Sequence, residues 1–165
     1  MKSQDFTTSF LVDQSPEEVF NAVINPRAWW AEDIEGRTDV PGSIFHYKYQ
    51  DVHRSKMRIE EFVPSKRVVW YIMENYFRFT EDKKEWTGTS IVFDIAEKDG
   101  KTELRFTHEG LQPHFECYNV CTDAWANFIG HSLKSYIVSG KGEAVMKEAP
   151  TDNFNEKIQD KWDIR

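Results

Sequence analysis

A two-residue turn at Asp99–Gly100 is the feature that most limits how this chain can fold. The dipeptide lies between two segments in which apolar and polar residues alternate, and Asp-Gly favours a type I′ turn that joins antiparallel strands directly. Such a turn fixes the register of the two strands. The predicted register pairs Ile91 with His108, Phe93 with Phe106 and Ile95 with Leu104. A shift by one residue would turn this whole face to solvent, so we predict that it is buried.

A strand and two short helices are predicted before this hairpin. Residues 6–12 alternate well enough for a first strand. Ser15 is a suitable N-cap for a helix, because Pro16 fits the first helical position and Glu18 completes a capping box. An apolar stripe at helical spacing follows, made of Val19, Phe20, Val23 and Ile24. Pro26 ends this helix and can begin a second short one.

Three further strands are predicted between the helices and the hairpin, over residues 43–49, 56–63 and 67–73. Alternation in the first of them places on one face Phe45, Tyr47 and Tyr49. In the second, the apolar positions change parity between Ile59 and Phe62, which indicates a β-bulge. The third is apolar on both faces, so we expect it in the middle of the sheet or beneath a helix.

A long helix is predicted over about residues 115–139, and Gly140 ends it. Its apolar positions recur at helical spacing and are Cys117, Cys121, Trp125, Phe128, Ile129, Ser132, Leu133, Tyr136 and Ile137. A single sheet with one apolar face needs a cover, and this helix is the one predicted element large enough to supply it. The order of elements therefore predicts the α+β class, with a curved antiparallel β-sheet packed against a long C-terminal helix.

Several stretches of the sequence resemble a known superfamily: residues 15–20, the pair Trp29–Trp30, residues 106–111 and the long helix. In the helix, the residues that carry the resemblance are Trp125, Phe128 and Leu133. The chain is similar to the helix-grip superfamily, also called START-like, Bet v 1-like or SRPBCC. It is most similar to the branch named after the C-terminal domain of the activator of the Hsp90 ATPase. The resemblance covers about residues 4–140 and implies a curved sheet that grips the long helix, with a pocket between them.

The resemblance leaves three classes of function open. Members of the superfamily bind lipids, sterols, polyketides or hormones, some are cyclases or domains of hydroxylating enzymes, and others are partners of a chaperone. We expect first a module that binds a hydrophobic or amphipathic small molecule, and binding rather than catalysis. A co-chaperone or other protein-interaction domain is one alternative, and a cyclase-like or hydrolase-like enzyme that uses the same cavity is the other. No cofactor is predicted.

The candidate ligand-binding residues are those that parity and helical spacing direct toward the space between sheet and helix. They are Phe45, Tyr47, Tyr49, Trp70, Phe93, Phe106, His108, Cys121, Trp125 and Phe128. A mostly apolar cavity with a few polar groups is how small-molecule sites are built. The alternative is that these rings simply fill the core, because aromatic side chains bury large areas without any ligand.

His108 is the strongest polar candidate, because the register places it on the buried face at the end of a strand, near the expected pocket mouth. A histidine there could bind a ligand oxygen, or act as an acid or base together with Tyr47 or Tyr49. The alternative, which we favour, is a hydrogen-bonded core histidine. No catalytic residue is assigned.

A metal site is a weaker alternative. His114, Cys117 and Cys121 would share one face of the helix at positions i, i+3 and i+7, and His108 could add a fourth ligand. The tight Cys-x-x-Cys spacing typical of structural zinc sites is not present, and buried cysteines often serve as small apolar fillers. We therefore expect no metal.

The sequence after Gly140 forms a separate feature, so we predict one domain over residues 1–140 and an extension over residues 141–165. Asn153 and Glu156 fit the start of a short helix, and its apolar stripe would consist of Phe154, Ile158 and Trp162. Such a narrow stripe docks on its own domain or on a second copy, so a homodimer through this extension is possible. A frayed tail is the alternative.

Charge and composition exclude several partners. The chain has 21 Lys and Arg against 28 Asp and Glu, a net charge of −7, which argues against binding to nucleic acid. The longest apolar run, residues 68–73, is far too short for a membrane span. The N-terminal residues lack the apolar core of a signal peptide, so we expect a cytoplasmic protein. The negative charge would steer the chain toward a basic protein partner.

Overall fold

The computed structural model describes residues 5–146, and they form one antiparallel sheet of seven strands that curves around a long helix. The strands are β1 (Phe6–Val12), β2 (Ile34–Glu35), β3 (Ile44–Tyr49), β4 (His53–Val63), β5 (Arg67–Phe77), β6 (Ser90–Lys98) and β7 (Lys101–Glu109). Their order in the sheet is β1-β7-β6-β5-β4-β3-β2. Two short helices, α1 (Pro16–Val23) and α2 (Pro26–Trp29), connect β1 to β2. The α+β helix-grip prediction is confirmed.

The hairpin at Asp99–Gly100 has the predicted geometry. Both turn residues have positive φ, 52° at Asp99 and 80° at Gly100, as a type I′ turn requires. The register of β6 against β7 is the predicted one, and its inner pairs are Ile91 with His108, Phe93 with Phe106 and Ile95 with Leu104. All six side chains are buried. A local turn therefore determines which face of the sheet supports the helix.

The N-terminal predictions also agree with the structure. Ser15 Oγ accepts a hydrogen bond from the backbone N–H of Glu18 at 3.2 Å and caps α1. The predicted bulge lies in β4, where the register against β5 shifts between Ile59 and Glu61. The short edge strand β2 was not predicted, because two residues are too few for a pattern. Strand β5 continues to Phe77, four residues past the predicted end.

The long helix, α3, has three consecutive parts: an α-helical part (Tyr118–Asn127), a π-helical part (Phe128–Leu133) and a second α-helical part (Lys134–Ser139). It begins three residues later than predicted. The carboxylate of Glu85 accepts hydrogen bonds from the backbone N–H groups of Glu116 and of the N-cap residue Cys117, so a side chain from a distant loop holds the chain where it enters the helix. Gly140 ends α3 in the left-handed conformation, as predicted.

Residues 141–146 return to the domain after α3. Val145 pairs with Ala31 in an isolated parallel bridge, and the Glu143 N–H donates to the buried hydroxyl of Ser132 at 2.7 Å. Gly142 passes so close to α2 that a Cβ atom there would lie 2.3 Å from the carbonyl oxygen of Ala28. The predicted stripe of Phe154, Ile158 and Trp162 lies outside the described residues. The domain boundary at residue 140 stays a prediction.

No helix in the described range 5–146 has the length and apolar character needed to cross a bilayer.

Candidate functional site

A cavity lies between the concave face of the sheet and the first half of α3, and it is partly open to solvent. Its lining residues are Trp30, Tyr47, Tyr49, Val52, His53, Phe77, Phe79, Trp86, Val120, Cys121, Ala124, Trp125 and Phe128. The space open to the centres of water-sized spheres is about 60 Å³. At about 12 Å³ for each water, this volume corresponds to roughly five heavy atoms. None of the described side chains that line the cavity carries a formal charge at neutral pH.

Stacked rings form the cavity walls. Trp30 stacks on Tyr47 with their ring centroids 4.1 Å apart, and Trp86 stacks on Trp125 at 5.7 Å. Burial, with the neighbouring hydroxyl of Tyr49 as a smaller cause, raises the pKa of Tyr47 well above its ordinary value, so this phenol stays neutral. The walls therefore present flat apolar surfaces with a few neutral polar atoms.

The structure divides the predicted ligand-binding residues into two groups. Five of them line the cavity: Tyr47, Tyr49, Cys121, Trp125 and Phe128. The other five lie deeper, where they are fully buried and do not line it: Phe45, Trp70, Phe93, Phe106 and His108. The latter rings pack on one another; Trp70, for example, lies 4.9 Å from Phe93 and 5.1 Å from Phe45 between ring centroids. Strand alternation does not separate the sheet residues of the two groups, because all of them lie on the concave face of the sheet.

His108 is sealed in the core by two hydrogen bonds. The Thr89 hydroxyl donates to the carbonyl oxygen of Trp86 at 2.6 Å, so His108 Nε2 carries the proton and donates to Thr89 Oγ1 at 2.8 Å. Nδ1 accepts a bond of 3.1 Å from Trp125 Nε1. Burial lowers the pKa of His108 to about 3. The ring is neutral with both nitrogens satisfied, which is the arrangement of a core histidine, and it does not share the cavity with Tyr47 or Tyr49.

His53 is the histidine that lines the cavity, and sequence reasoning missed it. Its Nε2 lies 3.0 Å from Ser55 Oγ and 2.9 Å from the side-chain amide of Asn75. Two backbone groups orient the side-chain amide of Asn75. Its nitrogen faces the carbonyl oxygen of Arg54, and its oxygen faces the N–H of Tyr76. That orientation turns the amide N–H groups toward Nε2, so Nε2 accepts and the proton of the ring is on Nδ1. Burial lowers the pKa of His53 to about 3.

Other cavity residues were missed because they lie in segments without a periodic pattern. His53 precedes the predicted start of its strand, Val52 lies in the turn before it, and Phe79 and Trp86 lie in the connection between β5 and β6. Phe79 and Trp86 are the two aromatic residues of that connection, about the same share as in the whole chain, so its composition gave no signal. The half-buried helix residue Ala124 was missed because alanine adds little to an apolar stripe.

The connection between β5 and β6, residues 78–89, is held against α3 by two carboxylates. Glu85 caps the start of α3, as described above. In return, Glu116 accepts hydrogen bonds from the backbone N–H groups of Asp82, at 2.8 Å, and Glu81, at 3.0 Å. These two donors, first that of Asp82, lower the pKa of the Glu116 carboxyl. We call this pair of reciprocal caps the carboxylate latch. It positions the loop that supplies Phe79 and Trp86 to the cavity wall.

The alternative metal ligands do not converge. His114 lies on an exposed turn before α3 instead of on the helix, whereas Cys117 and Cys121 are buried. Burial and a hydrogen bond with Cys117 raise the pKa of the Cys121 thiol, which disfavours the thiolate that a metal would need. Within residues 5–146, no three His, Cys, Asp or Glu side chains are arranged to hold a metal ion.

The convex face of the sheet carries a cationic cluster on β3 and β4. Lys48 lies directly opposite Arg54, and His46 lies opposite Lys56. Arg54 covers the ring of Tyr76 at 4.5 Å, but Lys48, Arg54 and Lys56 form no ion pair with any residue in the described range. Like charges in directly opposed positions destabilise a sheet. The cluster has the opposite sign to the chain as a whole, and two acidic residues border it, Glu74 of β5 opposite Lys56 and Glu35 of β2 opposite His46.

The curved antiparallel sheet, the long C-terminal helix and the apolar cavity between them define a helix-grip protein. The chain belongs to the family of activator of Hsp90 ATPase homolog 1-like proteins, whose sequence profile matches residues 13–138. The predicted resemblance is thus confirmed. No curated protein matches the chain in a sequence comparison.

Solved structures support the same fold. The Aha1 dimer from Colwellia psychrerythraea, a solution structure, is 26% identical, superposes with a TM-score of 0.66, and is matched over 84% of this chain and 98% of its own. The protein SSP2350 from Staphylococcus saprophyticus is 18% identical, with a TM-score of 0.62, over 86% of this chain and 98% of its own. A conserved protein of unknown function from Enterococcus faecalis, EF2215, is 15% identical, with a TM-score of 0.60, over 98% of this chain and 85% of its own.

Proposed function

We propose that this protein binds a small, mostly apolar molecule in the cavity between the sheet and α3. The observation that supports this proposal is the aromatic cavity itself, which stays partly open to solvent although most of the surrounding rings are packed together. Apolar cavities with a few polar atoms in their walls are the usual form of a small-molecule site. The ligand contacts would be made by the predicted residues that line the cavity, namely Tyr47, Tyr49, Cys121, Trp125 and Phe128.

Two alanines of α3 provide a matched test. Ala124 lines the cavity, and Ala126 is exposed on another face of the same helix. Benzene, added to the full chain, should shift the NMR resonances of cavity residues. Ala124→Phe should abolish these shifts by filling the space, whereas Ala126→Phe should leave them unchanged. Equal binding by both variants, or no shift at the cavity in the parent protein, would contradict the proposal. Native mass spectrometry of gently purified protein then tests for a co-purifying small molecule.

A second candidate function is interaction with a protein partner, as the family name suggests. The observation that favours it is the cationic cluster, because unpaired charges on a sheet face attract an acidic partner and raise the rate of encounter. The partner would then be acidic, not basic as the net charge alone predicts. An Hsp90-type chaperone is the direct test: Arg54→Glu with Lys56→Glu should weaken binding and any stimulation of its ATPase, and Ala124→Phe should not.

Dimerisation is a further proposal, supported by the dimeric state of the Aha1 protein from Colwellia psychrerythraea. Light scattering coupled to size-exclusion chromatography of the full chain and of a chain ending at residue 146 tests whether the extension is responsible. A dimer that persists after truncation would exclude the extension as the contact.

The enzyme alternative lacks the expected acid–base pair, because His108 and the tyrosines lie in separate environments.

A further inference from the structure

Two hydrogen-bond donors in the cavity wall have no oxygen or nitrogen acceptor among the described residues. Nε2 of His53 accepts from the Asn75 amide, so the ring proton is on Nδ1, and this N–H has no partner among the described residues. The indole Nε1–H of Trp86 is buried, and no described oxygen or nitrogen accepts from it. Its one acceptor within residues 5–146 is the sulfur of the Cys121 thiol, which forms only a weak hydrogen bond.

Unsatisfied buried donors are unusual in folded proteins, and each one lowers stability by about 1–3 kcal/mol unless a water or ligand accepts from it. This cost applies to Trp86 Nε1, which is fully buried, whereas His53 is 9% exposed and its Nδ1 keeps contact with solvent in the open part of the cavity. The two rings are in contact, edge to face, with their centroids 4.6 Å apart. A single acceptor atom placed in the cavity could therefore serve this pair of donors.

From these donors we infer that the cavity ligand is a neutral, mostly apolar molecule that presents one acceptor oxygen, such as a ketone or ester carbonyl, to His53 and Trp86. The inference rests on the proposed function, because it describes the ligand of the same cavity. It adds the chemical class of that ligand and names His53 as a residue that determines specificity.

The remaining wall chemistry supports a neutral ligand. The part of the wall formed by residues 5–146 has no Lys or Arg that would neutralise a carboxylate, and a buried anion without a partner is strongly disfavoured. Burial keeps the pKa of His53 near 3, so its Nδ1–H acts as a neutral donor and not as a cation. Aromatic walls also attract organic cations, but a cation would leave both donors unsatisfied.

Three probes of matched size distinguish these ligand classes: cyclopentanone, methylenecyclopentane and tetramethylammonium. The first two differ only in that C=O replaces C=CH₂, and all three are close to the cavity volume. Affinities are measured by NMR titration of the full chain. Cyclopentanone should bind about fivefold more tightly than methylenecyclopentane, because one neutral hydrogen bond is gained, and tetramethylammonium should bind least.

His53→Phe keeps an aromatic ring but removes the donor, and it should reduce the ketone preference to less than about twofold. The matched control is His46→Phe, on the exposed face of β3, which should keep the fivefold preference. If His53→Phe does not fold, the parent protein still gives a result, because the Nδ1–H resonance of His53 should shift with the ketone and not with the alkene.

The outcomes separate the inference from the function on which it rests. Equal binding of ketone and alkene, or tighter binding of tetramethylammonium, would overturn the inference but leave a small-molecule site in place. If none of the three probes shifts a cavity resonance, both the proposed function and the inference fail.

Discussion

Trp125 of α3 donates a buried hydrogen bond from its indole nitrogen to Nδ1 of His108 on β7, over 3.1 Å. The bond connects the helix to an inner strand of the sheet, next to the floor of the cavity. Because His108 Nε2 donates to Thr89, both ring nitrogens are satisfied and the tautomer is fixed. The histidine that the sequence marks as a candidate site residue is thus an anchor for the helix.

Trp125→Phe should lower the free energy of unfolding by about 3 kcal/mol, because it leaves a buried acceptor on His108 without a donor and also removes ring volume. Urea denaturation measures the change. Trp30→Phe is the control, since Trp30 is equally buried and has no such bond to a histidine. It should lose only the packing contribution, about 1–2 kcal/mol. Equal losses in the two variants would show that the bond to His108 contributes nothing.

Stability should fall on mild acidification because two histidines are buried in the neutral form. Burial lowers the pKa of both His53 and His108 to about 3, below the value of about 6.5 in the unfolded chain. Below pH 6.5 the unfolded state therefore binds more protons than the folded state. The contribution of the neutral histidines to the free energy of unfolding is fully present above this pH. It should decrease by roughly 2 kcal/mol for each histidine between pH 7 and pH 5.

Urea denaturation at several pH values tests this dependence. His53→Phe should remove about half of the decrease. His46→Phe should not alter it, since His46 is exposed. A decrease that is unchanged in His53→Phe would mean that His53 does not titrate differently in the folded and unfolded states.

The carboxylate latch should control access to the cavity. Glu85→Ala removes the acceptor for the N–H groups of the N-cap residue Cys117 and of Glu116 before it, and it should cost about 1 kcal/mol, as the loss of a helix cap does. Hydrogen exchange should increase at Glu116 and Cys117. Acrylamide should quench the fluorescence of Trp86 more strongly, because its loop would then move away from the helix. Glu81→Ala is the control in the same loop, and identical exchange in the two variants would argue against the latch.

Gly142→Ala should destabilise the fold by about 2 kcal/mol, because the new methyl group would meet the backbone carbonyl of Ala28, which cannot rotate away. Gly130→Ala, within α3, has open space around the added methyl group and should be neutral or stabilising by up to about 1 kcal/mol. Thermal unfolding of both variants measures the difference. A neutral Gly142→Ala would show that the segment 141–146 does not pack tightly on α2.

The sequence allowed the fold to be predicted where local chemistry determines the structure. Asp99–Gly100 specifies its own turn, and alternation then assigns the buried face, so the burial of His108 could be predicted. The cavity could be predicted only in part. His53 lies in a polar stretch of β4 that shows no apolar alternation, and its contact with Asn75 depends on pairing with another strand.

Trp86 could not be predicted as a cavity residue for a related reason. It lies in a loop whose position depends on Glu85 and on the start of α3, 31 residues further along the chain. No periodicity or turn signal records such a long-range contact. Residues placed by strands and helices were thus accessible to sequence reasoning, and residues placed by loop contacts were not.

The π-helical part of α3, Phe128–Leu133, lets the helix hold one residue more than a regular α-helix would between the same two faces. A π-helical turn closes around one more residue than an α-helical turn. Each residue of an α-helix turns the chain by about 100°, so without the π-helical part the extra residue would turn Ile137 away from the face that carries Cys121 and Trp125. Deletion of the exposed Gly130 would return this part to a regular α-helix and keep all three side chains toward the sheet. The π-helical part is therefore the place in α3 where the length of the chain can change by one codon without altering the cavity.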